Sequence, residues 1–198
     1  MQKRADAADI VVTQRPDTVS WEEISQLLKA AHADNVRRGV RMPYPQLSPE
    51  ELREKTEGAG GRLYVAFCEG RLAGVGAVVR LEKKFWYGSG SYAYCFLGAV
   101  LPEFSGRGIY QRLVAARQQW AEESGLDRMM FDTHEKNVRM RSICRRNGFL
   151  PVGYRIRDDH NSVVFVKWLH GCPYPEWFVR LKFIRLKWKR KRNAKAGS

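Results

Sequence analysis

Gly106 and Gly108, separated by Arg107 and set ahead of a helical pattern, are the residues of this chain best suited to hold an anion. An apolar run, Phe96-Leu97-Gly98-Ala99-Val100-Leu101, stops at Pro102, and Phe104-Ser105-Gly106-Arg107-Gly108-Ile109-Tyr110 then leads into Leu113, Val114, Trp120 and Ala121 at helical spacing. A strand that ends in a glycine turn and opens a helix leaves the first helical N–H groups unpaired, with the positive end of the helix dipole behind them. That arrangement fits a pyrophosphate. The dinucleotide fingerprint is excluded, because Gln111 stands where a further glycine is needed, and a P-loop is excluded for want of Gly-Lys followed by Ser or Thr. The competing account is a plain strand-to-helix connection.

A second group of reactive side chains lies downstream in Asp132-Thr133-His134-Glu135-Lys136-Asn137, followed by Met140, Ile143, Cys144 and Asn147-Gly148-Phe149. The succession of Val100, Pro102, Gly106 and Gly108, then Asn137, Met140, Ile143 and Gly148-Phe149, resembles the GNAT superfamily of N-acyltransferases. The resemblance spans Ile10 to Leu169 in layout and is strongest from Leu97 to Phe149. Two positions depart from the family pattern: Ser105 and Tyr110 stand beside the glycines where the family carries Arg or Gln and a small residue. Main-chain amides survive such changes.

The resemblance implies acetyl- or acyl-coenzyme A as co-substrate and direct transfer of the acyl group to a primary amine in a ternary complex. It implies that the coenzyme pairs with backbone groups of Gly98, Ala99, Val100 and Leu101. One N–H there serves as an oxyanion donor, a contribution of roughly 3 kcal/mol. The turn Phe104 to Tyr110 and Asn137 complete the coenzyme contacts, with Arg107 as a phosphate ligand or a solvated surface residue, and with Asn137 also explicable as a helix cap. The family's tyrosine donor to the leaving thiolate corresponds here to Cys144, either a weak acid or a buried inert thiol. Tyr110 and Tyr94 are the unranked substitutes. His134, Glu135 and Glu103 are chemically suited to accept a proton from the amine, directly or through water.

These side chains need a mixed α/β frame to position them. Asp9 to Thr13 reads as a strand, and Ser20 with Glu23 forms a capping box before Ile24, Leu27, Leu28 and Ala31. Ser48-Pro49 starts a second short helix running toward Gly58 to Gly61. Arg62 to Cys68 and Leu72 to Leu81, around Glu69-Gly70, read as a hairpin. The aromatic segment Phe85-Trp86-Tyr87 either packs in the core or lines a substrate pocket. Strands at Met129 to Asp132, Phe149 to Ile156 and Ser162 to Trp168, and helices from Gly108 and Asn137, complete the α/β (α+β) pattern. The resemblance implies a mostly antiparallel central sheet with one splayed strand pair and helices on both faces.

Composition bounds the rest. The chain of 198 residues carries 44% hydrophobic residues, enough to bury one core, and no apolar run reaches the roughly 20 residues needed to cross a bilayer. No secretory leader is recognisable, so a cytoplasmic protein is expected. Four scattered cysteines and four histidines show no metal-ligand spacing, and no metal is expected. The net charge of +14 is concentrated at the C-terminus, where residues 171–198 hold nine basic residues and one acid. This divides the chain into an acyltransferase domain, 1–170, and a basic amphipathic tail, 171–198.

In the tail, Trp177, Leu181, Ile184 and Trp188 share one helical stripe, and Val179, Phe183 and Leu186 another. The preferred partner is an anionic membrane surface at the inner face; docking on the domain or on a second subunit, and nucleic acid, are the rivals. The expected function is N-acetyl transfer to an amine such as an amino sugar or a lipid-linked envelope precursor. The alternatives are a long-chain N-acyltransferase fed by acyl carrier protein, with the aromatic segment as acyl tunnel, and a non-catalytic coenzyme-sensing or nucleic-acid-binding module.

Overall fold

The computed structural model describes residues 9–86, 90–156 and 160–196, with side chains through residue 188. Seven strands make one sheet: β1 (Ile10–Gln14), β2 (Arg62–Cys68), β3 (Arg71–Glu82), β4 (Ser91–Val100), β5 (Arg128–His134), β6 (Leu150–Ile156) and β7 (Asn161–Trp168). Their spatial order is β1-β2-β3-β4-β5-β7-β6, and every neighbouring pair is antiparallel except β4 and β5. The β2–β3 hairpin turns at Glu69 and Gly70, whose φ angles of 53° and 74° give the mirror-image turn that suits strand twist.

Helix starts follow from local chemistry. At α1 (Trp21–Arg37), Ser20 Oγ accepts from the Glu23 amide at 3.2 Å while the Glu23 carboxylate accepts from the Ser20 amide at 2.8 Å. Ser48 and Glu51 repeat this box at α2 (Pro49–Arg53). The second helix is shorter than its sequence pattern suggests: after one turn it widens into a π turn at Glu54–Gly58. Asn137 caps α4 (Val138–Arg146), its Oδ1 accepting from the Met140 amide at 3.1 Å. The long α3 (Ile109–Glu123) has no side-chain cap.

The sheet separates two cores. On one face, Ile24, Leu27 and Leu28 of α1 pack on Val65, Val75, Phe96 and Leu97. On the other, Leu113, Val114 and Ala121 of α3 and Cys144 of α4 cover Ala93, Cys95, Met129, Phe131 and Phe165. The last helix, α5 (Glu176–Ala196), packs along the edge strand β6: Val179 joins Met130, Val152, Val164 and Val166, and Phe183 stacks on Tyr154 with ring centroids 5.2 Å apart. Tyr94 packs against both the α1 cluster and the Val179 cluster, so Val179 lies on the α1 face, whereas Phe183 joins the α3 core on the other face and α5 straddles the sheet edge at β6.

The aromatic segment belongs to this docking and not to a pocket. Trp86 donates through Nε1 to the Val152 carbonyl at 3.0 Å and packs on Tyr174 and Phe178, while Phe85 meets Tyr92 edge-on. Tyr87 lies outside the described residues.

Candidate functional site

The site begins where the sheet opens. Parallel pairing of β4 with β5 covers only Ala93, Tyr94 and Cys95 against Met129, Met130 and Phe131. Beyond them β4 stays with β3 and β5 with β7, so the strands part and the β4 edge facing the gap is left for a ligand. A bulge sits at this point: the β3–β4 register slips between Val75 and Ala77, and Leu97 takes a φ of 52°. That left-handed conformation costs a branched side chain of order 1 kcal/mol, held here by burial to 1% exposure.

A cleft of about 310 Å³ runs from the parted strands to the start of α3. Of the residues singled out in the sequence, Gly98, Ala99, Val100, Phe104, Ser105, Gly106, Gly108, Ile109, Tyr110 and Asn137 line it. Gly106 and Gly108 have φ of 85° and 83°, and a Cβ at either would meet nothing within 4 Å. They give a left-handed turn that few side chains adopt, and they leave the space before the helix open. With no side chain capping α3, the amides of its first turn are available to an anion.

Two expected contacts point elsewhere. Arg107 pairs with Glu69 at 2.7 Å and lies over the Phe104 ring, turned toward the β2–β3 hairpin, and Leu101 does not line the cleft. Sequence reading missed the cations that do line it, Arg139 and Arg146, two turns apart on one face of α4. Arg139 donates to Ser105 Oγ at 3.0 Å. An i, i+7 pair of arginines was the available signal, but only packing of α4 beside the turn gives it meaning.

Tyr110 forms the floor. A Cβ at Gly98 would lie 3.0 Å from its hydroxyl oxygen, so glycine there lets the ring slide beneath the bulge. Behind the ring lies Arg117, 1% exposed, its guanidinium carbon 5.7 Å from the Tyr110 centroid and its Nε donating to the Leu113 carbonyl at 3.0 Å. Among the described residues no carboxylate pairs with Arg117. Burial pushes the Tyr110 phenol up to about 12, with Arg117 pulling the other way. Cys144 lines a pocket of about 10 Å³ behind Tyr110, beside Arg117 and Cys95, and not the cleft; burial pushes its thiol up to about 12.

A second chamber of about 70 Å³ adjoins the cleft through the shared walls His32, Gly98, Asn137 and Met140. Its other walls include Arg41, Tyr44, Asp132, His134, His160 and Ser162. His134 Nδ1 accepts the Lys136 amide at 3.0 Å, which in the neutral ring leaves the proton on Nε2. Its ring stacks on His160 with centroids 5.2 Å apart. Glu135 lines neither space. Tyr94 also falls outside both; its hydroxyl donates to Asp132 Oδ1 at 2.5 Å, and Arg155 binds the same oxygen at 3.0 Å. Burial foremost, and then neighbouring Tyr44 and Asp132, drive the Tyr94 phenol far above the ordinary range.

His32 is the other residue the sequence did not reveal. It is 5% exposed at the junction of the two spaces, and among the described residues neither ring nitrogen has a hydrogen-bond partner. Burial lowers its pKa to about 4, so the ring is neutral at physiological pH. Among the described residues no group of three His, Cys, Asp or Glu side chains could hold a metal, and no helix is long and apolar enough to cross a membrane.

Comparison with known proteins agrees with this geometry. A family model described as Acetyltransferase (GNAT) family matches residues 21–149. No curated protein matches the sequence. Among solved structures, a GNAT-family acetyltransferase from Streptococcus agalactiae superposes with a TM-score of 0.65 at 20% identity, over 80% of this chain and 95% of its own. A second acetyltransferase from the same organism gives 0.62 at 16%, over 80% and 98%. A GNAT-family acetyltransferase from Elizabethkingia anophelis, solved with acetyl-CoA bound, gives 0.56 at 12%, over 81% and 98%. At these identities the likeness is one of fold.

Proposed function

The chain belongs to the acetyltransferase (GNAT) family, and on that premise we propose that it transfers an acetyl group from acetyl-coenzyme A to a primary amine in a ternary complex. The carrying observation is the parting of β4 from β5 next to the uncapped start of α3: unpaired strand groups and helix amides face one cleft. Amide-bearing and diphosphate portions of one ligand need these two surfaces side by side. The first-turn amides of α3, with Arg139 and Arg146, hold the diphosphate, and the β4 edge from Gly98 to Val100 pairs with the amides of the pantetheine arm.

In the reaction the amine nitrogen bonds to the thioester carbonyl carbon, the C–S bond breaks, and one proton moves from nitrogen to sulfur. A backbone N–H beside the Leu97 bulge stabilises the oxyanion. Tyr110 gives its hydroxyl proton to the departing sulfur and regains the one that the amine nitrogen sheds, with the buried Arg117 cation stabilising the phenolate between the two events. Tyr110 suits this role better than the buried Cys144, which lies outside the cleft, or Tyr94, which is committed to Asp132. His32 positions the amine, since a neutral ring with two unpartnered nitrogens accepts from an attacking N–H and donates to a neighbouring oxygen.

The second chamber carries both signs of charge in Asp132 and Arg41, and its polar walls fit an amine set among hydroxyls, as in an amino sugar. Calorimetric titration with acetyl-coenzyme A, followed by thiol release across amino sugars, polyamines and amino acids, tests the proposal. We expect micromolar binding and release that depends on the amine. Absence of binding sinks the reading; binding without release for any amine reduces the protein to a coenzyme sensor.

A further inference from the structure

The two apolar stripes of α5 have opposite fates. Val179 and Phe183 are buried against the sheet, at 0% and 9% exposure, and Leu186 sits at the margin. On the far side Trp177, Leu181, Ile184 and Trp188 are 65%, 38%, 47% and 68% exposed, although all four are large apolar residues. At 3.6 residues per turn these four fall in line, with Arg180 and Lys187 along one flank and Arg185 along the other. The sequence continues the basic character through Lys189, Arg190, Lys191 and Arg192.

We propose that this face of α5 lies in the surface of an anionic lipid bilayer. Two tryptophans at either end of a Leu-Ile centre, bordered on both sides by cations, match the layering of such an interface: apolar residues among the acyl chains, indoles at headgroup depth, guanidinium and ammonium groups on lipid phosphates. A second copy of the chain meets this surface poorly, because the same cationic borders would oppose each other across a two-fold axis. Nucleic acid would engage the cations and leave the apolar stripe in water.

The surface stands independently of the chemistry proposed for the cleft. The exposed stripe is opposite the residues by which α5 docks along β6, so it points away from the edge of the sheet.

Flotation of the full chain with vesicles of phosphatidylcholine alone and of phosphatidylcholine mixed with phosphatidylglycerol tests this. The protein should float with the mixed vesicles, weakly with neutral ones, and less as salt rises. The fourfold variant Trp177→Ser, Leu181→Ser, Ile184→Ser, Trp188→Ser should partition at least about tenfold less, with an unchanged thermal melt because the residues it alters are exposed. In parallel, acyl chains brominated near the headgroup should quench the tryptophan fluorescence of the unaltered protein, a readout that needs no variant. Equal flotation of the two proteins, or absence of quenching, overturns the proposal. So does concentration-dependent dimerisation abolished by the fourfold variant, or duplex DNA binding that outcompetes the mixed vesicles.

Discussion

Tyr110 and Cys144 lie within one small buried neighbourhood, yet only the tyrosine reaches the cleft. Tyr110→Phe therefore should lower kcat about a hundredfold with little change in the KM for acetyl-coenzyme A, as expected for a lost proton donor, whereas Cys144→Ala should leave kcat within about twofold. Steady-state thiol release measures both. His32 gives a second test, through pH. Folded, the ring titrates at about 4; unfolded, at 6.5. Between those values the unfolded chain takes up a proton that the folded one refuses, so stability should fall as pH drops through this window, by up to about 3 kcal/mol. Urea melts at pH 7 and pH 4.5 report the loss, and His32→Gln should show less of it. In the sequence Tyr110 was legible only as one of two unranked donors, and the role of His32 was not legible. A histidine in an amphipathic helix looks like any other until α1 places it over the gap, and Arg107, which sits between the two glycines, is captured by Glu69 from a hairpin 38 residues away.

Local rules fixed most elements, because the residues that start and stop them act on their own neighbours. The Ser20–Glu23 box, the Asn137 cap and the Glu69–Gly70 turn are each a matter of a few consecutive residues. The divergence of β4 and β5 is different. No apolar pattern announces it, since Phe96 to Val100 alternate no differently from a fully paired strand; it arises from a bulge opposite Gly76 and from β5 choosing β7. At the start of α3, φ of 83° at Gly108 is a demand that sequence did announce. Gly108→Ala should cost about 1 kcal/mol in stability through the left-handed backbone. Its added methyl also projects into the space where we place the diphosphate, and calorimetry should show acetyl-coenzyme A binding weakened about tenfold.

At the scale of the molecule, α5 decides how the β6 edge of the sheet is covered. Its helical periodicity was visible in the sequence, but which stripe docks was not, because both are apolar and both are bordered by cations. The sheet settles it by offering Tyr154 and Val152 to Phe183 and Val179. Phe183→Ala should destabilise the protein by about 3 kcal/mol, and Trp188→Ala by less than about 0.5 kcal/mol, in denaturant titrations followed by circular dichroism. The aromatic segment at Phe85 and Trp86 shares that dependence: Trp86 is held by β6 on one side and by Phe178 on the other, so weakening α5 should loosen it as well.

The gap between β4 and β5 also supplies a built-in gauge of occupancy. The Val100 amide points across it with no neighbouring strand to shield it, whereas the Leu101 amide, alternating with it along β4, donates to the Ala73 carbonyl at 2.9 Å and is already secured. In heavy water the former should exchange quickly in the free protein and slow sharply once a thioester donor lies alongside, while Leu101 hardly changes. Mass spectrometry of that one peptide would then follow donor loading in real time, with any amine and without any chromogenic reagent.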